Sequence, residues 1–265
     1  DASNAFNSMS LTAIYHGLQI YCPELIPWFL ISYGLPTQLI LSNGTLLGSQ
    51  ETGVKQGDPL AMLLFAIGLQ TSLNDIQKVV YEEANNTISK DPSNNGNENI
   101  LPPLTIAYAD DITIVAPITN WDDDDNGLAK KVSTILYKNC GLKLNLSKTQ
   151  TLDISAIHAN PHNPKLGINV VGIPIGSAGY REEFAKTTLA SMRDDLDLIR
   201  RYASVIPTQH LFALLKYCIV PRSGFLQRTI DPIEKRDNNT GRLLPDTYKC
   251  PIESSLIDLD DYVSE

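Results

Sequence analysis

The sequence Tyr-Ala-Asp-Asp at residues 108–111 predicts the tight turn of a β-hairpin. β-Prone residues lead into it at 104–107 and out of it at 112–115, and such flanks around an acidic turn are typical of a hairpin. Two carboxylates held this close repel one another, and a divalent cation that prefers oxygen ligands removes the repulsion. Asp110 and Asp111 are therefore candidate metal ligands, with an ordinary exposed acidic turn as the alternative.

Two further segments carry unusual residue combinations. Residues 1–7 begin with an acid followed five residues later by an aromatic, and a helix is predicted over about 8–21. Residues 53–60, Gly-Val-Lys-Gln-Gly-Asp-Pro-Leu, form a loop bracketed by glycines, in which Asp58 suits a helix N-cap and Pro59 the first helical position. The loop thus ends at a helix N-terminus that can meet an anion or a nucleic-acid backbone, although a capped helix after an ordinary turn is the alternative.

Taken in order, these segments resemble the palm of reverse transcriptases, most closely those of non-LTR (LINE-like) retroelements. The matching blocks are residues 1–7, Gln56 to Leu60 with Leu63 to Phe65, Tyr108 to Asp111, Gly141 to Asn145 with Ser147 to Thr149, and the primer-grip block Gly172 to Gly176. They cover about residues 1 to 177. The chain departs from many relatives at Ala61-Met62, where they have a small residue followed by proline. The resemblance implies an α+β right-hand polymerase palm, in which a small antiparallel sheet packs on helices, with a helical thumb and incomplete fingers.

The resemblance also implies an RNA-directed DNA polymerase that adds nucleotides to a primer by two-metal phosphoryl transfer. Asp1, Asp110 and Asp111 would hold two Mg²⁺ ions, with Mn²⁺ as an alternative metal. Lys148 would neutralise or protonate the leaving pyrophosphate, whereas a solvated surface lysine is the alternative. The implied partners are an RNA template, a DNA primer and deoxynucleoside triphosphates.

The remaining site residues implied by the resemblance contact substrate or nucleic acid. Phe6 would be a steric gate against the 2′-hydroxyl of a ribonucleotide, with burial in the core as the alternative. Gln56 and Gly57 would lie against the templating base and the nucleotide. Nucleic-acid contacts are expected from Gly172, Pro174, Arg193, Arg200 and Arg201.

The domain prediction divides the chain into three parts. Residues 1–178 are the palm, with partial fingers at about 34–55 and a disordered insert at about 85–103. Residues 179–231 are the helical thumb, and 232–265 are an irregular acidic tail. Local patterns further predict helices at about 23–33, 58–84, 124–139 and 208–219, a helix through Phe184 to Ile199, a hairpin over 37–49, and strands at 149–154 and 170–175.

Charge is unevenly distributed. The chain has 21 basic and 30 acidic residues, a net charge of −9, whereas a nucleic-acid binder should present positive surface to phosphates. Residues 181–249 hold 12 basic and 9 acidic residues, while residues 1–180 hold 9 and 16. The positive excess therefore falls on the predicted thumb, where Lys216, Arg222 and Arg228 are additional candidates.

The absence of long apolar segments and the spacing of the cysteines bear on the cellular location of the protein. The apolar run at 60–69 is too short to cross a bilayer and no signal peptide opens the sequence, which predicts an intracellular protein, nuclear or cytoplasmic, with no membrane partner. Four cysteines, Cys22, Cys140, Cys218 and Cys250, are widely separated, which predicts free thiols and no zinc site. The oligomeric state stays open.

Three hypotheses follow for the whole chain. Members of this family carry an N-terminal fingers segment before the first aspartate, whereas this sequence begins at that aspartate, so the chain is expected to be a fragment. The first hypothesis is a polymerase core that needs the fingers segment. The second is a truncated or decayed element that binds nucleic acid without catalysis. The third is another two-metal palm enzyme, such as an RNA-templated RNA polymerase or a nucleotidyl cyclase.

Overall fold

The computed structural model of the chain describes residues 2–90, 102–118, 121 and 127–229. Over these residues the fold is α+β, with helices and three separate two-stranded antiparallel sheets. The chain divides into two compact units, Asp1–Thr149 and Gln150–Glu265. None of the described helices combines the length and the apolar character needed to cross a membrane.

The first unit consists of helices with two hairpins. Its helices are α1 (Ala5–Ser8), α2 (Leu11–Tyr21), α3 (Ile26–Tyr33, after a 3₁₀ turn at Pro23–Leu25), α4 (Ala61–Lys90) and α5 (Leu128–Cys140). Its strands are β1 (Thr37–Ile40), β2 (Leu46–Gln50), β3 (Leu104–Tyr108) and β4 (Asp111–Val115). β1 pairs with β2 and β3 pairs with β4, which confirms both predicted hairpins.

Helix α4 is the centre of the first unit, because α2 and α5 both pack against it. Leu64 and Phe65 of α4 are fully buried, as are Ile14 of α2 and Leu136 of α5. Burying side chains of this size contributes about 1.5–3 kcal/mol each. Gly17 lets α2 approach α4 closely, since a Cβ atom there would lie 2.5 Å from the carbonyl oxygen of Ile67.

The structure corrects the predicted ends of two helices in this unit. The helix predicted over 8–21 begins only at Leu11, as α2, because the Ser10 side chain accepts a hydrogen bond from the Ala13 amide and caps this start; the short helix α1 lies before it. Helix α4 runs to Lys90, so the disordered insert predicted from residue 85 is wrong for 85–90. The hydroxyls of Thr87 and Ser89 donate to carbonyls one turn earlier, which makes this polar stretch compatible with a helix.

The second unit is a hairpin with helices. Its elements are α6 (Ile154–Ala159), β5 (Gly167–Val170), β6 (Ile173–Gly176), α7 (Ala178–Tyr202), α8 (Thr208–Leu214), a π-helical turn (Leu215–Ile219) and α9 (Val220–Thr229). Its core is a stripe on α7 that packs on the turn and on α9, and it comprises Ala185, Leu189, Met192, Leu196, Ile219 and Leu226. The apolar spacing that predicts the α7 helix is therefore the spacing of buried residues.

Two predictions in the second unit are also corrected. The strand predicted at 149–154 is wrong, because Asp153 accepts a hydrogen bond from the Ser155 amide at 2.8 Å and begins α6 instead. The single strand predicted at 170–175 is a hairpin, β5 and β6, that turns at Val171 and Gly172. The acidic tail predicted at 232–265 lies outside the described residues.

Candidate functional site

The Tyr-Ala-Asp-Asp sequence lies at the tip of the β3–β4 hairpin. Tyr108 pairs with Asp111, so Ala109 and Asp110 make a two-residue turn. Asp110 is half-buried in the turn, and Asp111 is exposed at the start of β4. Ala109 has a φ of 55°, in the left-handed region that alanine rarely adopts. The tip therefore presents two neighbouring carboxylates on a strained turn.

The side chain of Gln77 joins the hairpin to α4 by two hydrogen bonds. Gln77 of α4 donates from Nε2 to the carbonyl of Pro103 at 2.7 Å, and its Oε1 accepts from the amide of Thr105 at 2.7 Å. Ala107 and Ile112, a cross-strand pair, pack with Ile114 against the core of the unit. The acidic tip is thus carried by strands anchored at their far end to the longest helix.

The segment around Phe6 is joined to the glycine-bracketed loop. The amide of Val54 donates to the carbonyl of Phe6 at 2.8 Å, and the hydroxyl of Thr52 donates to the carbonyl of Asn7 at 2.9 Å. Gly53 has a φ of 79°, and a Cβ atom there would lie 2.5 Å from the backbone of Asn7. The first glycine of the loop is therefore required both by its conformation and by the close approach of the two segments.

The Phe6 ring is stacked on the ring of Phe65, with centroids 4.5 Å apart and an interplanar angle of 26°. Phe65 is fully buried in α4, whereas Phe6 is only half-buried. Phe6 therefore packs against the core and keeps part of its surface exposed. The steric-gate role stays a prediction.

Gln56 and Gly57 form the exposed tip of the loop. Gly57 has a φ of 92° and a Cβ atom there would meet nothing within 4 Å, so this glycine serves conformation alone. Behind the tip, Oδ1 of Asp58 accepts from the Leu60 amide at 2.9 Å, just before α4 begins at Ala61. Asp58 therefore accepts a backbone amide as a cap does, but the helix predicted from Asp58 begins only at Ala61, so Asp58 is not at its N-cap position.

The block after α5 contacts the beginning of the chain. Ala2 forms a β-bridge with Leu144, and the amide of Ser3 donates to the carbonyl of Lys143 at 2.9 Å. Asp1, the first predicted metal ligand, lies outside the described residues. Lys148 is exposed in the turn that follows this block.

The metal-binding prediction depends on carboxylates at the hairpin tip. Among the described residues there is no group of three or more acidic, histidine or cysteine side chains that could hold a metal ion. Asp110 and Asp111 nevertheless supply the hard oxygen donors that Mg²⁺ prefers, and this ion is commonly held by one or two carboxylates together with substrate phosphates. The donor chemistry of the tip fits the implied ion.

The nucleic-acid residues predicted in the second unit fall into two groups. Gly172 is exposed in the turn of the β5–β6 hairpin with a φ of 84°, and Pro174 is buried in β6. On α7, Arg193 is half-buried, while Arg200 and Arg201 are exposed in the last turn of the helix.

A groove of about 510 Å³ lies beside the β5–β6 turn. Gly172, Tyr217, Phe225 and Arg228 line it together with Arg222, which donates from Nη1 to Asp195 of α7 at 2.5 Å. The groove combines aromatic rings with guanidinium groups. Two of the basic residues considered in the sequence, Arg222 and Arg228, therefore share one concave surface.

The sequence patterns did not identify Tyr33 of α3, which holds the glycine-bracketed loop by a hydrogen bond to Asp58. Tyr33 of α3 is 4% exposed and donates its hydroxyl to Oδ2 of Asp58 at 2.5 Å. Burial and this hydrogen bond raise the pKa of Tyr33 to about 12. A tyrosine at the end of a strongly apolar helix is a weak sequence signal, because its partner is 25 residues away along the chain.

Comparison of the chain with protein-family models, with curated proteins and with solved structures gave no match.

Proposed function

We propose that this chain is the palm and thumb portion of an RNA-directed DNA polymerase. It would extend a DNA primer on an RNA template with deoxynucleoside triphosphates, using Mg²⁺ ions. The observation that supports this proposal is the meeting of sequence blocks that lie far apart in the chain. The Phe6 segment bonds to residues 52–54 and to the Lys143–Leu144 segment, and the hairpin that carries Asp110 packs on the same core.

The acidic residues would serve the metal ions. Asp110 and Asp111, with Asp1, would hold Mg²⁺, and the bound ions would neutralise the charge that develops on the transferred phosphoryl group. The hairpin contributes rigidity, because Gln77 fixes the start of β3 to α4. Lys148, on the exposed turn after the Lys143–Leu144 segment, would neutralise or protonate the pyrophosphate.

The nucleotide would contact the Phe6 segment and the tip of the loop. The exposed part of the half-buried Phe6 ring would lie against the sugar and exclude a 2′-hydroxyl, while stacking on Phe65 supports the ring. Gln56 and Gly57 are exposed at the loop tip, where a template base and an incoming nucleotide can approach the backbone.

The second unit would bind the nucleic-acid duplex. Arg200 and Arg201 are exposed at the end of α7, where they can contact phosphates, and the turn at Gly172 can approach a backbone closely. Phosphate contacts from basic residues of this kind provide affinity without sequence preference. Binding should therefore weaken as the salt concentration rises.

Primer extension tests the proposal. The assay uses a poly-rA template with an oligo-dT primer and Mg²⁺, with the 265-residue chain and with a longer protein that restores an upstream fingers segment. Because a metal ligand supplies several kcal/mol of transition-state stabilisation, Asp110→Asn should lower extension by at least about 100-fold.

Asp153→Asn is the matched control, since asparagine caps a helix as well as aspartate does and α6 should stay intact. Extension that survives Asp110→Asn would remove the hairpin acids from the site. Duplex binding without extension in both proteins would instead support the non-catalytic hypothesis. Equal incorporation of ribonucleotides would support an RNA polymerase.

A further inference from the structure

The glycine-bracketed loop is held by a partly buried hydrogen-bond network centred on Tyr33, a residue outside the sequence blocks of the resemblance. Tyr33 donates its hydroxyl to Oδ2 of Asp58 at 2.5 Å, and the same hydroxyl oxygen accepts from the amide of Lys55 at 3.2 Å. One side chain of α3 therefore binds both ends of the four-residue turn from Lys55 to Asp58. The other carboxylate oxygen of Asp58 accepts from the Leu60 amide and joins the turn to the start of α4.

Lys55 closes the network from the other side. Its ammonium group donates to the carbonyl of Ser32 at 2.6 Å and lies 5.0 Å from the centroid of the Tyr33 ring. The Tyr33 ring is in turn stacked on Phe29, with centroids 5.4 Å apart. The side chain of Lys55 is thereby directed towards α3.

The two residues between these anchors are left without such restraint. Gln56 and Gly57 are both exposed, and Gly57 occupies a left-handed conformation in open space. A two-residue tip between fixed ends keeps its position only if the ends stay fixed. The hydroxyl of Tyr33 is the shared hydrogen-bond partner of both ends.

We infer that Tyr33 is a positioning residue, whose hydroxyl holds Lys55 and Asp58 so that the Gln56–Gly57 tip is preset to meet the template base and the nucleotide. The inference rests on the proposed function for its ligand, but the restraint on the loop can be measured without any activity. Burial and the bond to Asp58 raise the pKa of Tyr33 to about 12, so the hydroxyl stays a protonated donor well into the alkaline range.

Limited trypsin digestion of the full chain tests the restraint, because trypsin cleaves after Lys55. Tyr33→Phe keeps the ring and its stacking on Phe29 but removes the hydroxyl. Since a hydrogen bond to a charged group is worth more than a neutral one, cleavage after Lys55 should become at least about tenfold faster. Cleavage after Lys78, within α4, is the internal reference and should not change.

Tyr137→Phe is the matched control, since Tyr137 is 61% exposed on α5 and its variant should be cleaved like the unaltered chain. In the background of Asp58→Ala, Tyr33→Phe should add less than it does in the unaltered chain, because the bond to Asp58 is already lost and only the bond from the Lys55 amide remains. Far-UV circular dichroism checks that each variant is folded. Equal cleavage in Tyr33→Phe and Tyr137→Phe would overturn the inference.

Kinetics then separate the inference from the proposed function. In primer extension, Tyr33→Phe should raise the KM for the deoxynucleotide several-fold more than it lowers kcat, since the chemistry itself is untouched. A loosened loop with an unchanged KM would overturn the positioning role. A loosened loop in a protein that binds no nucleotide would count against the polymerase and would still support the Tyr33 restraint.

Discussion

The β3–β4 and β5–β6 hairpins are alike in construction and differ in the chemistry of their turns. Each joins its strands through two residues, and in each the first turn residue is not glycine although its φ is positive, 55° at Ala109 and 52° at Val171. The second residue differs. Gly172 has a φ of 84°, whereas Asp110 takes the corresponding place in β3–β4 without a positive φ.

The difference separates a structural turn from a candidate functional one. Two consecutive positive φ values match the right-handed twist of hairpin strands, and glycine at the second position adopts its value without cost, so Gly172 follows ordinary turn chemistry although Val171 before it does not. The turn at Ala109 and Asp110 has no glycine and places two acids side by side. Because a non-glycine residue with positive φ occurs in both turns, what distinguishes the β3–β4 turn is its pair of neighbouring acids, which fits the proposed metal-binding role of Asp110.

The largest effect, on both stability and primer extension, should come from replacing the β3–β4 turn with one that is common in two-residue hairpins. Ala109→Asn combined with Asp110→Gly creates an Asn-Gly turn, which is strongly favoured in two-residue hairpins. We expect the free energy of unfolding to rise by about 1 kcal/mol, since strain at Ala109 is relieved. Primer extension should fall by at least about 100-fold, because the proposed metal ligand Asp110 is lost.

Ala109→Asn alone is the control for this experiment. It relieves the strained turn but keeps Asp110, so it should raise stability and retain extension. If the double variant extends primers as well as the single variant does, Asp110 is not a metal ligand and the contrast between the two hairpins is one of turn type only.

Local sequence patterns predicted most elements of the fold. The β3–β4 hairpin and its turn followed from alternation and turn residues, and the Asn43-Gly44 turn of β1–β2 is confirmed, with a φ of 83° at Gly44. Two of the errors lie where a single side chain decides between two local structures. Ser10 starts a new helix and Asp153 starts α6 in place of a strand, and both act through one hydrogen bond.

The candidate site was predictable only in part. Turn and capping chemistry identified Asp110, Gly57 and Asp58 before any contact was known. The bonds of Tyr33 to Asp58 and of Gln77 to the start of β3 span 25 and 28 residues of sequence, and no periodicity reports such pairings. The side chains that hold a loop through such distant contacts can therefore be identified only in the folded structure.

An intermediate effect on stability is expected from Gly167→Ala, which tests how closely β5 packs on α7. A Cβ atom at Gly167 of β5 would lie 2.1 Å from Cδ1 of the Tyr180 ring in α7, so Gly167→Ala must displace the ring. Overpacking of this kind costs about 1–3 kcal/mol. We expect a loss of about 2 kcal/mol in urea unfolding of the chain.

Gly224→Ala is the matched control in the same unit. A Cβ atom there would come no closer than 4.0 Å, to Nη2 of Arg228, and alanine favours the α9 helix. This variant should be neutral or slightly stabilising. A Gly167→Ala protein as stable as the control would mean that β5 is not held against α7 as the structure describes.

The smallest effect on stability should come from Val171, the residue of the β5–β6 turn whose side chain disfavours its backbone conformation. Val171 is β-branched with a φ of 52°, and this region costs L-residues other than glycine, asparagine and aspartate about 1–2 kcal/mol. Val171→Asn makes an Asn-Gly turn and should raise the free energy of unfolding by about 1 kcal/mol, measured by urea denaturation. Because Val171 is 41% exposed, little packing is lost with its side chain. A fall in stability instead would mean that contacts of Val171 outweigh its strain, and the turn would then be held by packing rather than by backbone preference.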